Sequence, residues 1–325
     1  MRSTFVAFDR IVPKIADIIR RSLQDFGTVP PPEVWVIRDF TGRCRLLAPD
    51  DAMVDGEHAF LRHLAEAFHL ELGSHSYEPD EALLPIQRDE LDAFRSEARS
   101  ILIEPVRLQL VERLLTGGDW AAVPDIQRAG GPVRFALFSL KGGMGRSTTA
   151  AVISHHLARA GHRVLLVDLD LESPGLSSAL LNDDDSPEFG IVDWFVEDLV
   201  GQGCEVLPHM TARARWGQDL PGDIVVAPAH GRNPGEYLSK LGRVFIEGPL
   251  AEGAGPETWR SRLKRLLTAL EEQERPEVVL IDSRSGLHDI AAAVIAHLQA
   301  HTLLFCTDSH ANWLGYRLLF EHWNA

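Results

Sequence analysis

Residues 140–149 read Leu140-Lys141-Gly142-Gly143-Met144-Gly145-Arg146-Ser147-Thr148-Thr149, and this stretch decides the fold. A continuous apolar run precedes it at residues 133–140, and a helix is expected to follow it over 150–160. Glycines let a backbone take positive φ and approach an anion closely, and N–H groups at a helix start point at negative charge. A glycine-rich turn by itself is more often only a turn. Its place between a buried strand and a helix makes this one a candidate phosphate loop. The strict GxxxxGK[ST] spacing fails at Leu140 and at Arg146. The form is a KGGxGK[ST] loop whose last lysine has become Arg146.

Working outward, short apolar runs recur at residues 164–167, 224–226, 278–281 and 303–306, with helical segments between them. Alternation of buried strands and helices predicts an α/β domain, with a mostly parallel sheet covered by helices on both faces. Two of the runs end in carboxylates. One reads Leu165-Leu166-Val167-Asp168-Leu169-Asp170, with Pro174-Gly175-Leu176 after it. The other reads Val279-Leu280-Ile281-Asp282-Ser283-Arg284-Ser285-Gly286. An aspartate at a strand end often does no more than cap a helix. Three such motifs in order, each at the C-terminal end of an apolar strand, fall on the edge of an open α/β sheet where ligands bind.

On these three motifs the chain resembles the ParA/MinD family of deviant-Walker P-loop ATPases, of the SIMIBI class, in a branch with KGGxGR loops. The resemblance implies that Gly142, Gly143, Met144, Gly145, Arg146, Ser147 and Thr148 hold a nucleotide. It implies that Ser147 and Asp282 place Mg²⁺, Asp282 through water. Asp170 is similar to the residue that orients the attacking water, and Gly286 to the glycine that senses the γ-phosphate. Lys141 matches the signature lysine that reaches the partner's phosphates across a homodimer. ATP and Mg²⁺ are the implied cofactors and ATP hydrolysis the implied activity, with Lys141, Asp170 and Arg146 as catalytic residues. Arg146 is the departure. A lysine is a compact point charge, whereas a guanidinium is planar and forked, so binding is implied more firmly than turnover. Family members usually continue past this point with another strand and an adenine-reading loop, so either the domain is C-terminally shortened or base recognition is done otherwise.

Composition frames the rest. The chain has 325 residues, 45% hydrophobic and 24% charged, which fits a globular protein of about two domains. The expected organisation is an N-terminal α+β module of unknown role at 1–125, a linker at 126–132 and the ATPase domain at 133–325. In the module, helices are expected at 11–23, 59–72 and 90–115, with a hairpin of 34–37 and 45–47 around Thr41-Gly42. A protein partner is expected to dock there. Cys44, Cys204 and Cys306 form no metal or redox spacing, which fits a reducing cytoplasm and excludes a cluster-ligating pair. No run approaches a membrane span. The apolar-rich final helix, from Trp313 to Trp323, lacks the basic polar face of a membrane anchor and is expected to pack on the sheet.

Net charge is −15, which weighs against a DNA-binding surface even though Arg260, Arg262, Lys264 and Arg265 form a basic stretch. That stretch reads as a solvated helix face balanced by Glu271, Glu272 and Glu274. His58, His63, His69 and His75 carry no metal-ligand spacing, and His155 and His156 are adjacent on a helix and face different ways. Asp183-Asp184-Asp185 reads as a solvated turn. The leading function is therefore a nucleotide-dependent dimerisation switch that controls a partner. Two other readings share the same residues. One is a non-hydrolysing regulatory scaffold, and the other is a DNA-partition or positioning ATPase.

Overall fold

The computed structural model describes residues 6–25, 31–50, 56–95, 98–113, 120, 130–248 and 257–323. The chain divides into two compact units, Met1–Ala122 and Val123–Ala325. Residues 126–129 of the expected linker lie outside the described residues.

The first unit contains α1 (Ile11–Asp25), β1 (Glu33–Arg38), β2 (Cys44–Pro49), α2 (Gly56–Leu72) and the short α3 (Pro79–Ala82). After these come β3 (Leu83–Ile86), α4 (Arg88–Phe94), β4 (Arg99–Ile103) and β5 (Val106–Glu112). Its mixed sheet runs β3-β2-β1-β5-β4. Along β1, Val34 and Val36 face a core filled by Ile11, Ile15 and Ile19 of α1 and by Phe60, Leu64 and Phe68 of α2. Trp35 points the other way, onto Leu47, Ile86, Leu91 and Val111. That period of two is what a strand buried on both faces requires. The Asp39–Arg43 turn of the hairpin is tied by Asp39, which accepts from Thr41 N (2.8 Å) and Arg43 N (3.0 Å).

The helix expected over 90–115 is not formed. Its first turns make α4, and then the chain becomes the antiparallel pair β4–β5, with Ile103 opposite Val106. Pro105 is the physical reason: it has no N–H and its ring clashes with a helical carbonyl four residues back, so a helix cannot run through it. A tight turn with β-branched residues on either side suits a hairpin instead.

The second unit carries β6 (Val133–Ser139), α5 (Arg146–Arg159), β7 (Arg163–Leu169), α6 (Leu176–Leu180), α7 (Ile191–Asp198) and α8 (Gly203–Val206). It continues with β8 (Ala212–Arg213), β9 (Asp223–Ala227), α9 (Tyr237–Leu241), α10 (Trp259–Glu274), β10 (Val278–Ser283), α11 (Asp289–His297), β11 (His301–Phe305) and α12 (His310–Trp323). The sheet order is β11-β6-β10-β7-β9-β8, parallel except for β8. Leu165, Val167 and Leu169 of β7 face a core shared with α7, α10 and α11, while Val164 and Leu166 face α5 and α6. Both faces are therefore dry, as the unbroken apolar runs require. α12 packs by one face: Tyr316 donates to Phe305 O at 2.8 Å and meets the Phe138 ring edge-on, while Trp313 and Leu318 stay more than half exposed.

The basic stretch on α10 is solvated only in part: Lys264 and Arg265 are exposed and Arg260 is half-buried, but Arg262 is a core residue. Arg262 is fully buried; it donates to Asp198 Oδ2 at 2.8 Å and to Ile246 O at 2.9 Å, with Phe195 O as a third acceptor. Arg265 closes on the same carboxylate at 2.9 and 2.8 Å and also pairs with Glu257. Two of the four basic residues, Arg262 and Arg265, are thus tied into the α7–α10 packing. Truncation of a buried ionic partner strands the other charge, at a cost of about 3–5 kcal/mol. Arg262→Ala is expected to destabilise the fold by that order, read as a drop in the denaturant midpoint. A drop worth less than roughly 1 kcal/mol would show that Arg265 alone satisfies Asp198.

Candidate functional site

β6 delivers the chain to Ser139, and α5 begins at Arg146. The turn between them is left-handed at two glycines, Gly143 (φ 74°) and Gly145 (φ 86°). A Cβ built on either would meet nothing within 4 Å, so glycine answers here to backbone conformation and not to crowding. Ser139 Oγ donates to Lys141 O at 2.7 Å and pins the start of the loop. Lys141, Gly142, Gly143, Gly145 and Thr148 are exposed, and Met144 and Ser147 are partly buried. Thr149 N donates to Gly145 O at 2.8 Å, so the first turn of α5 is closed behind them.

The carboxylates expected from the sequence arrive at the same sheet edge because β7 and β10 are parallel neighbours. Asp168 and Asp282 are register partners, and Asp170 lies just beyond the end of β7. Asp282 is fully buried and accepts from the Ser147 hydroxyl through Oδ2. Burial raises its pKa, while Ser147 and Arg146 hold it down. Asp170 is raised by burial too, against the pull of Arg146 and Arg284. Asp168 is fully buried, accepts from Ser177 N (3.2 Å) and Ser177 Oγ (3.0 Å), and is pushed up to about 7 by burial and by the Asp282 charge.

Arg146 does not extend along the loop. Its side chain is 7% exposed and turns in across the strand ends. Nη2 lies 3.3 Å from Asp170 Oδ2, Nε lies 3.4 Å from Asp282 Oδ1, and Nη1 donates to Ser139 Oγ. One side chain thus bridges β6, β7 and β10. Behind it, Gly286 (φ 91°) donates its N–H to Ser139 O at 2.9 Å, which docks the segment after β10 onto the loop strand. Arg284 pairs with Glu172, and His288 Nε2 stands 3.8 Å from the same carboxylate. Lys141 is exposed, whereas Ser147, Asp170 and Asp282 of the expected residues are brought together with Arg146.

Ser139, Glu172 and Ser177 were not legible as site residues. Ser139 looks like the last residue of an apolar strand, and nothing in the string says that its hydroxyl meets Arg146. Glu172 sits two residues beyond Asp170, and an arginine in the later motif was the available signal for an ion pair. Elsewhere, His75 Nδ1 lies 3.3 Å from Gly42 O and His69 Nδ1 lies 3.3 Å from Tyr77 O, so both are engaged with backbone. Among the described residues no group of three or more His, Cys, Asp or Glu side chains is disposed to hold a metal ion. Ser147 and Asp282 offer two hard oxygens side by side. That set fits Mg²⁺, which keeps most of its waters and takes one or two protein ligands beside phosphate.

A strand, a left-handed glycine turn and a helix start, flanked by buried carboxylates on two adjacent strands, define a nucleotide-binding domain of the P-loop kind. Residues 135–306, more than half of the chain, match the model of the CobQ/CobB/MinD/ParA nucleotide binding domain, and the chain belongs to that family. No curated protein matches it in sequence. Among solved structures, the kinase domain of the Escherichia coli tyrosine kinase ETK aligns at 16% identity and a TM-score of 0.40. That alignment covers 58% of this chain and 63% of the kinase domain. A plasmid partition protein from Borrelia burgdorferi aligns at 18% and 0.40, covering 59% and 72%. Cobyrinic acid a,c-diamide synthase from Mycobacterium smegmatis, with bound ATP analogue and magnesium, aligns at 22% and 0.40, covering 58% and 68%. At these scores the likenesses carry no argument beyond the family match. No helix among the described residues is long and apolar enough to cross a membrane.

The raised Asp168 has a consequence for stability. Its folded pKa lies above the unfolded value, so its contribution is fully favourable below the unfolded pKa and is lost as pH rises through about 7. Asp168→Asn keeps an acceptor for Ser177 and removes the charge beside Asp282. Without added metal, the variant should be more stable than the wild type at about pH 8, with an advantage on the order of 2 kcal/mol larger than at about pH 5. Thermal midpoints at the two pH values test this; an advantage that does not shrink at the lower pH contradicts it.

Proposed function

We propose that this protein binds ATP with Mg²⁺ at the 141–149 loop, hydrolyses it, and uses the cycle as a dimerisation switch that controls a protein partner. The observation that carries the reading is the convergence of Ser147 and Asp282, in hydrogen-bond contact at the head of α5, with the two left-handed glycines beside them. The backbone N–H groups of Gly142, Gly143, Met144, Gly145 and Thr148 would face the phosphates, with the positive end of α5 behind them. Ser147 would ligate the cation directly and Asp282 through water. Mg²⁺ bound there supplies charge neutralisation at the β- and γ-phosphates. Arg146 would turn outward to the same phosphates, and Asp170 would orient the attacking water once that guanidinium has left it.

Lys141 is exposed at the mouth of the loop and is free to reach a second copy. Two subunits meeting face to face would each receive the other's Lys141 at the developing charge, in the manner of an arginine finger. Binding then favours the dimer and hydrolysis releases it. The unit at Met1–Ala122 has its own sheet and core, and it is our candidate for the partner-recruiting part.

A second reading is favoured by one observation, the Arg146–Asp170 pair, which holds the proposed water-aligning carboxylate. In that reading the nucleotide locks a scaffold and is not turned over. Light-scattering mass and phosphate release, followed in the same samples with and without ATP–Mg²⁺, separate the two. Wild type is expected to double in mass and release phosphate, and Lys141→Ala to lose both. Doubling without phosphate release would select the scaffold, and a Lys141→Ala variant that behaves as wild type would remove the trans role of Lys141.

A further inference from the structure

Both oxygens of Asp282 are already engaged within the fold. Oδ2 accepts from Ser147, and Oδ1 faces Arg146 Nε at 3.4 Å. Asp170 is drawn to the same guanidinium at 3.3 Å. Asp168, the third carboxylate of the cluster, is register partner to Asp282 and takes its hydrogen bonds from Ser177 and the Asp170 backbone N–H. Arg284 and His288, which also act on Asp170, both stand against Glu172. Arg146 is therefore the side chain that neutralises the carboxylates the proposed function assigns to the cation and to water.

Arginine suits this role where lysine does not. A planar fork reaches two carboxylates and a hydroxyl at once, whereas an ammonium is a single point charge. Its two contacts are nevertheless long for charge-assisted hydrogen bonds, which run at about 2.7–2.9 Å. They hold by charge more than by geometry, and such pairs yield to a better-placed ion.

We propose that Arg146 is a built-in counter-ion that competes with a divalent cation for Asp282 while it holds Asp170, so that the cation binds well only together with an anion that draws the guanidinium away. Cation and nucleotide then bind as one coupled event, and the cation alone binds weakly. This inference rests on the nucleotide-site reading above. Arg146 is here a positioning residue for the cation site, and the readout that follows is metal binding without nucleotide or turnover.

The experiment titrates Mn²⁺ into nucleotide-free wild type, Arg146→Ala and Arg146→Lys, following the free-ion signal by electron paramagnetic resonance. The wild type is expected to bind Mn²⁺ weakly. Arg146→Ala should bind it on the order of tenfold tighter or more, since a unit charge a few ångströms away has been removed. Arg146→Lys should fall between them and serves as the conservative variant if the alanine form does not fold. Addition of Asp282→Asn to Arg146→Ala should abolish the gain. Equal Mn²⁺ affinity in the wild type and the variants overturns the inference. A fluorescent ATP analogue, titrated into the wild type with Mn²⁺ present, separates the two levels. Analogue binding with no Mn²⁺ gain in the variants overturns the counter-ion alone. A Mn²⁺ gain without analogue binding leaves the counter-ion standing and removes the nucleotide reading.

Discussion

Asp168 and Asp282 face each other across two adjacent parallel strands, and both are fully buried. Two carboxylates cannot share a dry sheet edge unless cations and hydrogen bonds balance them. Much of this unit's functional end answers to that constraint. Ser177 turns into one carboxylate and Ser147 into the other, and Arg146 leans inward from the first turn of α5 to bridge Asp282 and Asp170. The glycine turn between Ser139 and Arg146 sets where α5 starts, and hence whether that guanidinium can reach. The same acidic edge that is costly in the bare fold is what a divalent cation and a phosphate chain would use. Structural necessity and proposed function therefore meet on the same few atoms.

Much of the second unit was legible in the string because its physics is local. Strands buried on both faces read as apolar runs, and β6, β7, β9 and β10 fall on such runs, as does the half-buried edge strand β11. The loop declared itself through glycines placed between a strand and a helix. What failed was either local chemistry read too coarsely or partnership across sequence. Pro105 was enough to break the helix expected over 90–115, and an apolar rhythm that fits helix and strand about equally well concealed it. Arg262 looked like one charge among four on a wet helix. Only the approach of α7, which brings Asp198 and the Phe195 carbonyl, makes it a core residue. Glu172 belongs to the same class, since its role exists only once the distant Arg284 is in place, whereas Ser139 is fixed by the fold of its own loop.

Arg146 shows the limit of reading a motif by its letters. As the last basic residue of a KGGxGR loop it reads as a phosphate ligand, and its side chain is engaged instead with two carboxylates and a hydroxyl. The two roles are compatible if the guanidinium changes partners on nucleotide binding, because the loop glycines leave the phosphate side open. A lysine in its place would have one contact to exchange; the arginine has three. That difference ties the resting charge balance of the site to the arrival of its ligand.

The most direct test of this account is a crystal structure of the protein grown with Mn²⁺ and a non-hydrolysable ATP analogue, with the metal located by anomalous scattering. The account predicts a single Mn²⁺ peak bonded to Ser147 Oγ, with Asp282 one water away, the phosphates along residues 142–148 and the Arg146 guanidinium moved off Asp170. A nucleotide bound elsewhere, or a metal peak remote from Ser147 with Arg146 still paired to both carboxylates, would contradict it.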